Sequence, residues 1–553
     1  MMSEYTTTYD QEVPVLIVGG SVVGLSTALF LAWHGIPSLL VERHATTSIH
    51  GRAGGFNART MELFRQVGIE EEIFALETPP EQLGEMGLRV ESLTGKVLDT
   101  TETRAHQQFQ QENPFPSPTR MAMLGQDKLE PILRAHASTL GSDIRFGTEM
   151  LSFRQDDEGV SAQIRELATG KEFRVRARYL VAADGNRSAI RRQLDIPSHG
   201  YGILGDWISI LFRTDLSKEL GGRKITLCFV NNPTVEGIMG YSGVRWALLA
   251  NLKPRAGERP DALSPERCLE LVRAAIGIPD QPVEIISTLY WELASRVAER
   301  FQQGRVLLAG DAAHVMTTMG GFGANTGIAD AHNLAWKLAT VLKGTAHPEL
   351  LTSYAEERQI VANLAVSFST GLYAYRLPNH EHREAIAQSA QEMLARVRKD
   401  PDAPAPSALS VASGYLYRST AIIAEGEDNG VLYENRPSSR PGTRAPHIWL
   451  MHNAKRISIL DLYGKNFVLL TGAAGIDWQE ATKKVKNKLG LALDVYQIGS
   501  GTAYSDEDEQ FLTTYGINCN GAVLVRPDGF IAWRTPLATT DKLESTLVHI
   551  LSR

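Results

Sequence analysis

The stretch PVLIVGGSVVGLSTALFLAWHGIPSLLVE, residues 14–42, decides the fold. Residues 14–18 are apolar without polar alternation, the pattern of a strand buried on both faces of a parallel sheet. Gly19-Gly20-Ser21-Val22-Val23-Gly24 follows, then an apolar segment of helical length that Gly35 closes. Ser38 to Val41 form a second strand, and Glu42 and Arg43 stand at its end. Strand, glycine turn, helix, strand and acid make a dinucleotide-binding unit. The turn admits a pyrophosphate, the helix N-terminus favours its charge, and the acid takes ribose hydroxyls. Gly19, Ser21 and Gly24 fill the three loop positions, and Glu42 lies close to the expected distance of about 20 residues beyond them. Ser21 stands where a glycine is usual; it is the smallest replacement that keeps a hydrogen-bonding group. Val13 to Trp33 carries no charge and is long enough to cross a bilayer, but Gly19, Gly20 and Gly24 break it early, so strand, turn and helix explain it better.

The whole chain of 553 residues exceeds what one core supports, so several domains are expected. A net charge of −7 gives no attraction to nucleic acid or anionic lipid. Cys228, Cys268 and Cys519 are far apart, with no CxxC pair, so neither a zinc site nor a dithiol is expected. This cysteine usage fits a reducing cytoplasm, and the polar N-terminus MMSEYTTTYDQE has no apolar signal core.

Two further strands end on acids. Tyr179 to Asp184-Gly185 is one, and Arg305 to Gly310-Asp311 is the other, where Asp311 is placed to bind a polyol hydroxyl. Between them and the first unit, a helical segment runs from Asp127, preceded by Gln126. After Asp311, Gly320, Gly321, Gly323 and Gly327 crowd a loop and the start of a long helix that includes Ala324 and Asn325. Such a loop lets backbone N–H groups face an electron-rich ligand. An acid and a glycine after one strand are most often just a turn; three such pieces in this order are much harder to obtain by chance.

The combination resembles the group A flavin monooxygenases, the para-hydroxybenzoate and phenol hydroxylase family, over about residues 13–345. The resemblance implies FAD at Gly19 to Gly24 with Glu42 on the ribose, Arg52 near the phosphates, and Gln126 in contact with the cofactor. It implies Asp184-Gly185 at both FAD and the nicotinamide reductant, and Gly310-Asp311 at the ribityl chain. The positive end of the helix at Gly321, Gly323, Ala324 and Asn325 would face the flavin pyrimidine ring and stabilise the anionic reduced cofactor. GRVLLAGDAAH and GGFGANTGIADAHNLAWKLA look most like the bacterial aromatic polyketide hydroxylases. Those enzymes usually carry Pro-Pro-Thr where this chain has Thr317-Thr318-Met319. Loss of the prolines frees backbone N–H groups and conformations beside the flavin.

The expected fold class is α/β: a Rossmann-like FAD-binding domain (1–190 and 295–400), an inserted β-sheet substrate domain (191–294), a linker (401–434) and a thioredoxin-like C-terminal domain without CxxC (435–553). Within the insert, 205–254 and 281–294 have strand composition. Phe229, Met239, Tyr241, Trp246 and Trp291 are candidates to line an aromatic pocket, although aromatics fill most sheet cores. The C-terminal segment is left with packing or a homodimer contact. No catalytic triad stands out, as expected where a cofactor carries the chemistry. The resemblance implies that NADPH or NADH reduces FAD, that O2 adds at flavin C4a, and that the hydroperoxide hydroxylates an aromatic, polyketide-like substrate. Baeyer–Villiger insertion, epoxidation, or a flavin-binding oxidase or shielding protein stay open.

Overall fold

A computed structural model describes residues 9–79, 81, 83–100, 115–255, 258–376, 382–426 and 429–553; the first eight residues of the polar N-terminus lie outside these. The first apolar run forms the strand Gln11–Val18, paired in parallel with Ser38–Glu42 on one side and Glu172–Ala182 on the other. Val306–Leu308 and Asp143–Phe146 extend this parallel sheet at its two sides, and an antiparallel pair, Thr148–Gln155 and Val160–Glu166, is hung on Glu172–Ala182. The uncharged stretch divides as its glycines require, into that strand and the helix Val22–Trp33. The helix is buried on all sides because it lies between the sheet and two further helices, Gln126–Thr139 and Phe322–Leu342.

A second, largely antiparallel sheet runs in the order His314–Val315, Glu284–Ala298, Ser198–Arg213, Trp246–Asn251, Glu236–Tyr241, Ile225–Asn231, Glu85–Val90, Val97–Asp99. Its last two strands correct the expected division of the chain. Residues 85–99, assigned by sequence to the nucleotide-binding part, cross over: Glu85–Val90 pairs in parallel with Ile225–Asn231, and Val97–Asp99 pairs antiparallel with Glu85–Val90. One face is covered by the helix Pro265–Ile276, which Ser264 caps, Pro265 starts and Gly277 ends in the left-handed conformation. The other face packs on the helices Thr352–Arg376 and Arg383–Ala395.

The C-terminal sheet has the order Leu493–Ile498, Phe467–Gly472, Ala522–Val525, Ile531–Thr535, parallel in its first pair and antiparallel thereafter. With the helices Asp477–Leu489 and Lys542–Ile550 this is the thioredoxin-like topology, and Cys519 is a free, exposed thiol in it. The segment expected to be a linker, 401–434, packs against the rest of the molecule at several of its described residues. Tyr415, Tyr417 and Tyr433 are buried in the main core, where Tyr417 stacks on Phe530 of the C-terminal domain at 4.2 Å. Aromatic side chains of this size gain more from burial than a linker could from solvation. Among the described residues, no helix is long and apolar enough to cross a membrane, and no cluster of His, Cys, Asp and Glu is arranged to hold a metal.

Candidate active site

The register of the parallel sheet brings the sequence motifs to one level. Val18 lies across from both Val41 and Ala182, and Ala182 across from Leu308. The chain therefore leaves the carboxyl ends of adjacent strands together at Gly19, Glu42, Asp184 and Asp311, where open α/β sheets bind ligands. Glycine is required in the first turn for close approach. A Cβ on Gly19 would collide with the Ala183 carbonyl, and one on Gly24 with the carbonyl of Gly19. Glu42 accepts from Gly20 N–H at 2.6 Å and from His44 N–H at 2.8 Å, so it also shapes the loop it serves; Arg43 beside it is exposed.

The Ser21 departure has a partner set. Its hydroxyl donates to Glu130 Oε1 at 2.8 Å and accepts from Gln126 Nε2 at 2.8 Å, while Gln126 also reaches Glu130 at 2.7 Å. The second Glu130 oxygen accepts from Ser48 N–H at 2.8 Å. Gln126 is thus buried beside the glycine turn, and Glu130, one helical turn on, completes the contact.

Asp311 is surrounded by protein, which pushes its carboxyl above the usual range against the opposing pull of His314, Arg52 and Arg296. It is nevertheless exposed to solvent, so it forms the floor of an open cleft. Arg52 is exposed at that cleft. Asp184 is likewise raised by burial, opposed by hydrogen bonds that include Ser188 and the Ile190 N–H, the latter at 3.2 Å. Its Oδ1 and the Nε of Arg296 are buried without a protein partner. Arg296 donates to the Asn186 carbonyl at 3.0 Å, which places it beside the Asp184-Gly185 turn.

Across the cleft, Gly321 starts the helix Phe322–Leu342 in the left-handed conformation, φ 67°, with no side-chain cap. The N–H groups of Gly323 and Ala324 stay available there. The Asn325 side chain is spent on the protein: it accepts from Asn57 N–H at 3.0 Å and Thr60 Oγ1 at 2.6 Å, and donates to the Gly321 carbonyl at 2.8 Å. The Thr317-Thr318-Met319 loop is tied rather than loose, because Thr317 Oγ1 donates to the Ser369 carbonyl at 2.9 Å. Met319 projects into an apolar cluster on the second sheet.

That cluster contains Trp207, Leu293, Tyr373, Phe229, Ile238, Leu249 and Trp291, with the rings of Trp207 and Trp291 5.5 Å apart. Of the aromatic candidates, Phe229 and Trp291 face it. Met239, Tyr241 and Trp246 do not. Alternate residues of a strand point to opposite faces, and Phe229 pairs with Ile238, so Met239 turns to the helix-covered side. Tyr241 packs against Trp246 on that same side, with ring centroids 4.6 Å apart. Glu130, Arg296 and Trp207 do not stand out in the sequence, and Met319 does so only as part of the Thr317-Thr318-Met319 loop. Only Glu130 carried a usable signal, its i,i+4 spacing from Gln126.

Residues 12–369 match the family model described as FAD binding domain, and residues 438–553 match aromatic-ring hydroxylase, C-terminal. The chain belongs to this family of FAD-dependent aromatic-ring hydroxylases. The hydroxylase is 41% identical to 4-methyl-5-nitrocatechol 5-monooxygenase of a Burkholderia species, over 97% of this chain and 98% of the relative. It is 39% identical to tetracenomycin A2 monooxygenase-dioxygenase of Streptomyces glaucescens, over 98% and 97%. Its structure resembles aklavinone-11 hydroxylase in a ternary complex with FAD and aklavinone, with TM-score 0.86, 38% identity, and coverage of 99% and 100%. The residues of the hydroxylase fit FAD. The Asp311 floor, the partnerless Asp184 and Arg296 atoms, the glycine turn and the uncapped helix supply polar partners for a long, anionic, polyol-bearing ligand.

Proposed function

We propose that this monooxygenase, with FAD reduced by NADPH or NADH, places one oxygen atom of O2 on a planar, fused-ring phenolic substrate of the aromatic polyketide kind. The apolar wall on the second sheet carries this reading. Trp207 and Trp291 stand ring to ring with their planes inclined by 34°, and with Phe229, Ile238 and Leu249 they make an apolar wall wider than one ring, which Met319 links to the turn at the helix that faces the cofactor cleft. Bound FAD supplies the electrons and the activated oxygen. Gly19, Gly24 and Glu42 would hold its dinucleotide half, Asp311 the polyol, and the N–H groups of Gly323 and Ala324 the electron-rich ring edge. The buried wall keeps water from the substrate and fixes its plane. Arg376 stands over the Phe229 ring at 4.8 Å and donates to Met319 Sδ at 2.7 Å. Cytoplasmic residence is part of this reading and rests on three widely separated cysteines that fit a reducing compartment.

The test is turnover of a panel of one-ring and multi-ring phenols under 18O2 with either reductant. The expected product carries one labelled oxygen, with the highest kcat/KM on multi-ring phenols. Reductant oxidation that yields hydrogen peroxide and no labelled product would overturn the reading. Preference for one-ring phenols would overturn its substrate class.

A further inference from the structure

Two buried ion clusters, joined through the adjacent helix residues Glu357 and Arg358, link the C-terminal domain to the Gly310-Asp311 turn. Arg526, in the tight turn after Ala522–Val525, donates to the two carboxylate oxygens of Glu357 at 2.5 and 2.9 Å and to Asp528. Glu357 also accepts from Lys337 Nζ at 2.7 Å and from Asn333 Nδ2 at 2.8 Å. The next residue, Arg358, spreads its three nitrogens over Asp330 Oδ1 at 2.6 Å, the Tyr417 hydroxyl at 2.9 Å and the Thr326 carbonyl at 3.0 Å. Asp330 Oδ2 accepts the N–H of Gly310 at 3.0 Å and faces His314 Nε2 at 2.7 Å. Asp330, Lys337, Glu357, Arg358 and Arg526 are all 0% exposed, so none of them can exchange its partner for water.

We infer that the C-terminal domain is part of the flavin site: Arg526, through Glu357, Arg358 and Asp330, fixes the Gly310 N–H and so the turn that presents Asp311. Arg526 and Asp330 are positioning residues. The inference rests on the assignment of Asp311 to FAD. Domain docking alone would be served by apolar contacts such as Trp336 on Phe467, whose rings are 5.6 Å apart. Buried ion pairs add little net stability over apolar packing of the same volume, but they enforce one geometry on the groups they join. Here that geometry includes a backbone N–H at the turn of a cofactor motif.

The test measures the FAD dissociation constant of the full-length protein by flavin fluorescence, with near-UV circular dichroism of each apoprotein as the check on folding. Arg526→Met and Asp330→Asn are each expected to weaken FAD binding at least tenfold. The combined variant should fall well short of the product of the two effects, because both cut the same link. Arg526→Lys keeps the charge with fewer donors and should lie between parent and Arg526→Met. Should Arg526→Met not fold, Arg526→Lys alone and combined with Asp330→Asn are compared in the same way. A folded Arg526 variant with a dissociation constant within twofold of the parent, or a combined effect equal to the product, would overturn the inference. A parent protein that binds no FAD would instead overturn the assignment of the turn itself.

Discussion

Ser21 bridges a glutamine and a carboxylate with one hydroxyl, and Glu130 has no water to replace it, being 1% exposed. Ser21→Gly restores the commoner loop residue and removes that bridge. It is expected to lower stability by about 1–3 kcal/mol, the usual cost of an underpaired buried acceptor, read as a lower melting temperature with FAD still bound. Asp311→Ala acts on the cofactor instead. Loss of hydrogen bonds to a charged group costs about 1.5–3 kcal/mol, so the FAD dissociation constant should rise roughly ten- to a hundredfold. Met239→Leu, on the far face of the second sheet, should leave FAD affinity and KM unchanged; an equal loss of FAD in both variants would contradict the placement of Asp311. Gly19 and Gly24 are legible in the sequence because turn geometry dictates glycine there, and Asp311 because an acid at the end of a strand suits a polyol. Arg296 is not, since its meaning comes from a neighbour, Asn186, 110 positions away.

At the scale of the element, a one-residue change of strand parity separates the site from the core. Strand composition marks residues 236–241 as a strand, but the choice between Ile238 and Met239 depends on which face a helix covers. That helix, Pro265–Ile276, lies in a segment where the sequence was read for neither helix nor strand. Ile238→Trp or Leu249→Trp should fill the apolar wall and raise KM for multi-ring phenols tenfold or more, with FAD affinity unchanged, as steady-state kinetics and a flavin titration would show. The loop at Thr317 follows the same logic. The sequence suggests a freed loop, yet a hydroxyl replaces proline's restraint with a tie to the helix Thr352–Arg376. Thr318→Pro should be tolerated, because Thr318 already has φ −71°. Thr317→Val should cost about 1–2 kcal/mol and shift the flavin absorbance band, since the untied loop no longer holds its place beside the helix N-terminus.

The molecule as a whole is bound together by charge it hides from water. Burial pushes Glu357 up, but Arg526 and Lys337 outweigh it and hold its carboxyl far below the ordinary range. Asp330 and Glu62 are also held low against burial, the first by Arg358 and His314, the second by Arg444 and Arg59. A depressed carboxylate contributes stability that is present above its unfolded value, about 4, and is lost as pH falls through that value toward the folded one. FAD release and loss of near-UV dichroism should therefore coincide on acidification from about pH 5. Release of FAD well above that pH with tertiary structure intact would contradict a shared origin. The same arrangement bears on truncation. A chain ended at Asn435 would strip Arg526 from Glu357 and Phe530 from Tyr417, and it is expected to be insoluble or free of FAD in a sedimentation and absorbance assay. In sequence, Pro527-Asp528-Gly529 reads as a hairpin turn. Its burial against another domain follows from assembly, which local pattern does not encode.

The strands Ile225–Asn231, Glu236–Tyr241 and Trp246–Asn251 come from one unbroken stretch that holds none of the cofactor turns. In recombination terms they are a cassette. Residues 225–251 of a relative with another substrate could be grafted as a block, their inward row of Phe229, Ile238 and Leu249 exchanged together. One junction constrains the exchange: Arg245 at the hairpin tip clasps Asp127 and the Ile49 carbonyl beside the loop of Arg52. A donor segment that keeps an arginine there would inherit the cofactor half intact, so chimeras should sort into working and failing sets by that one position.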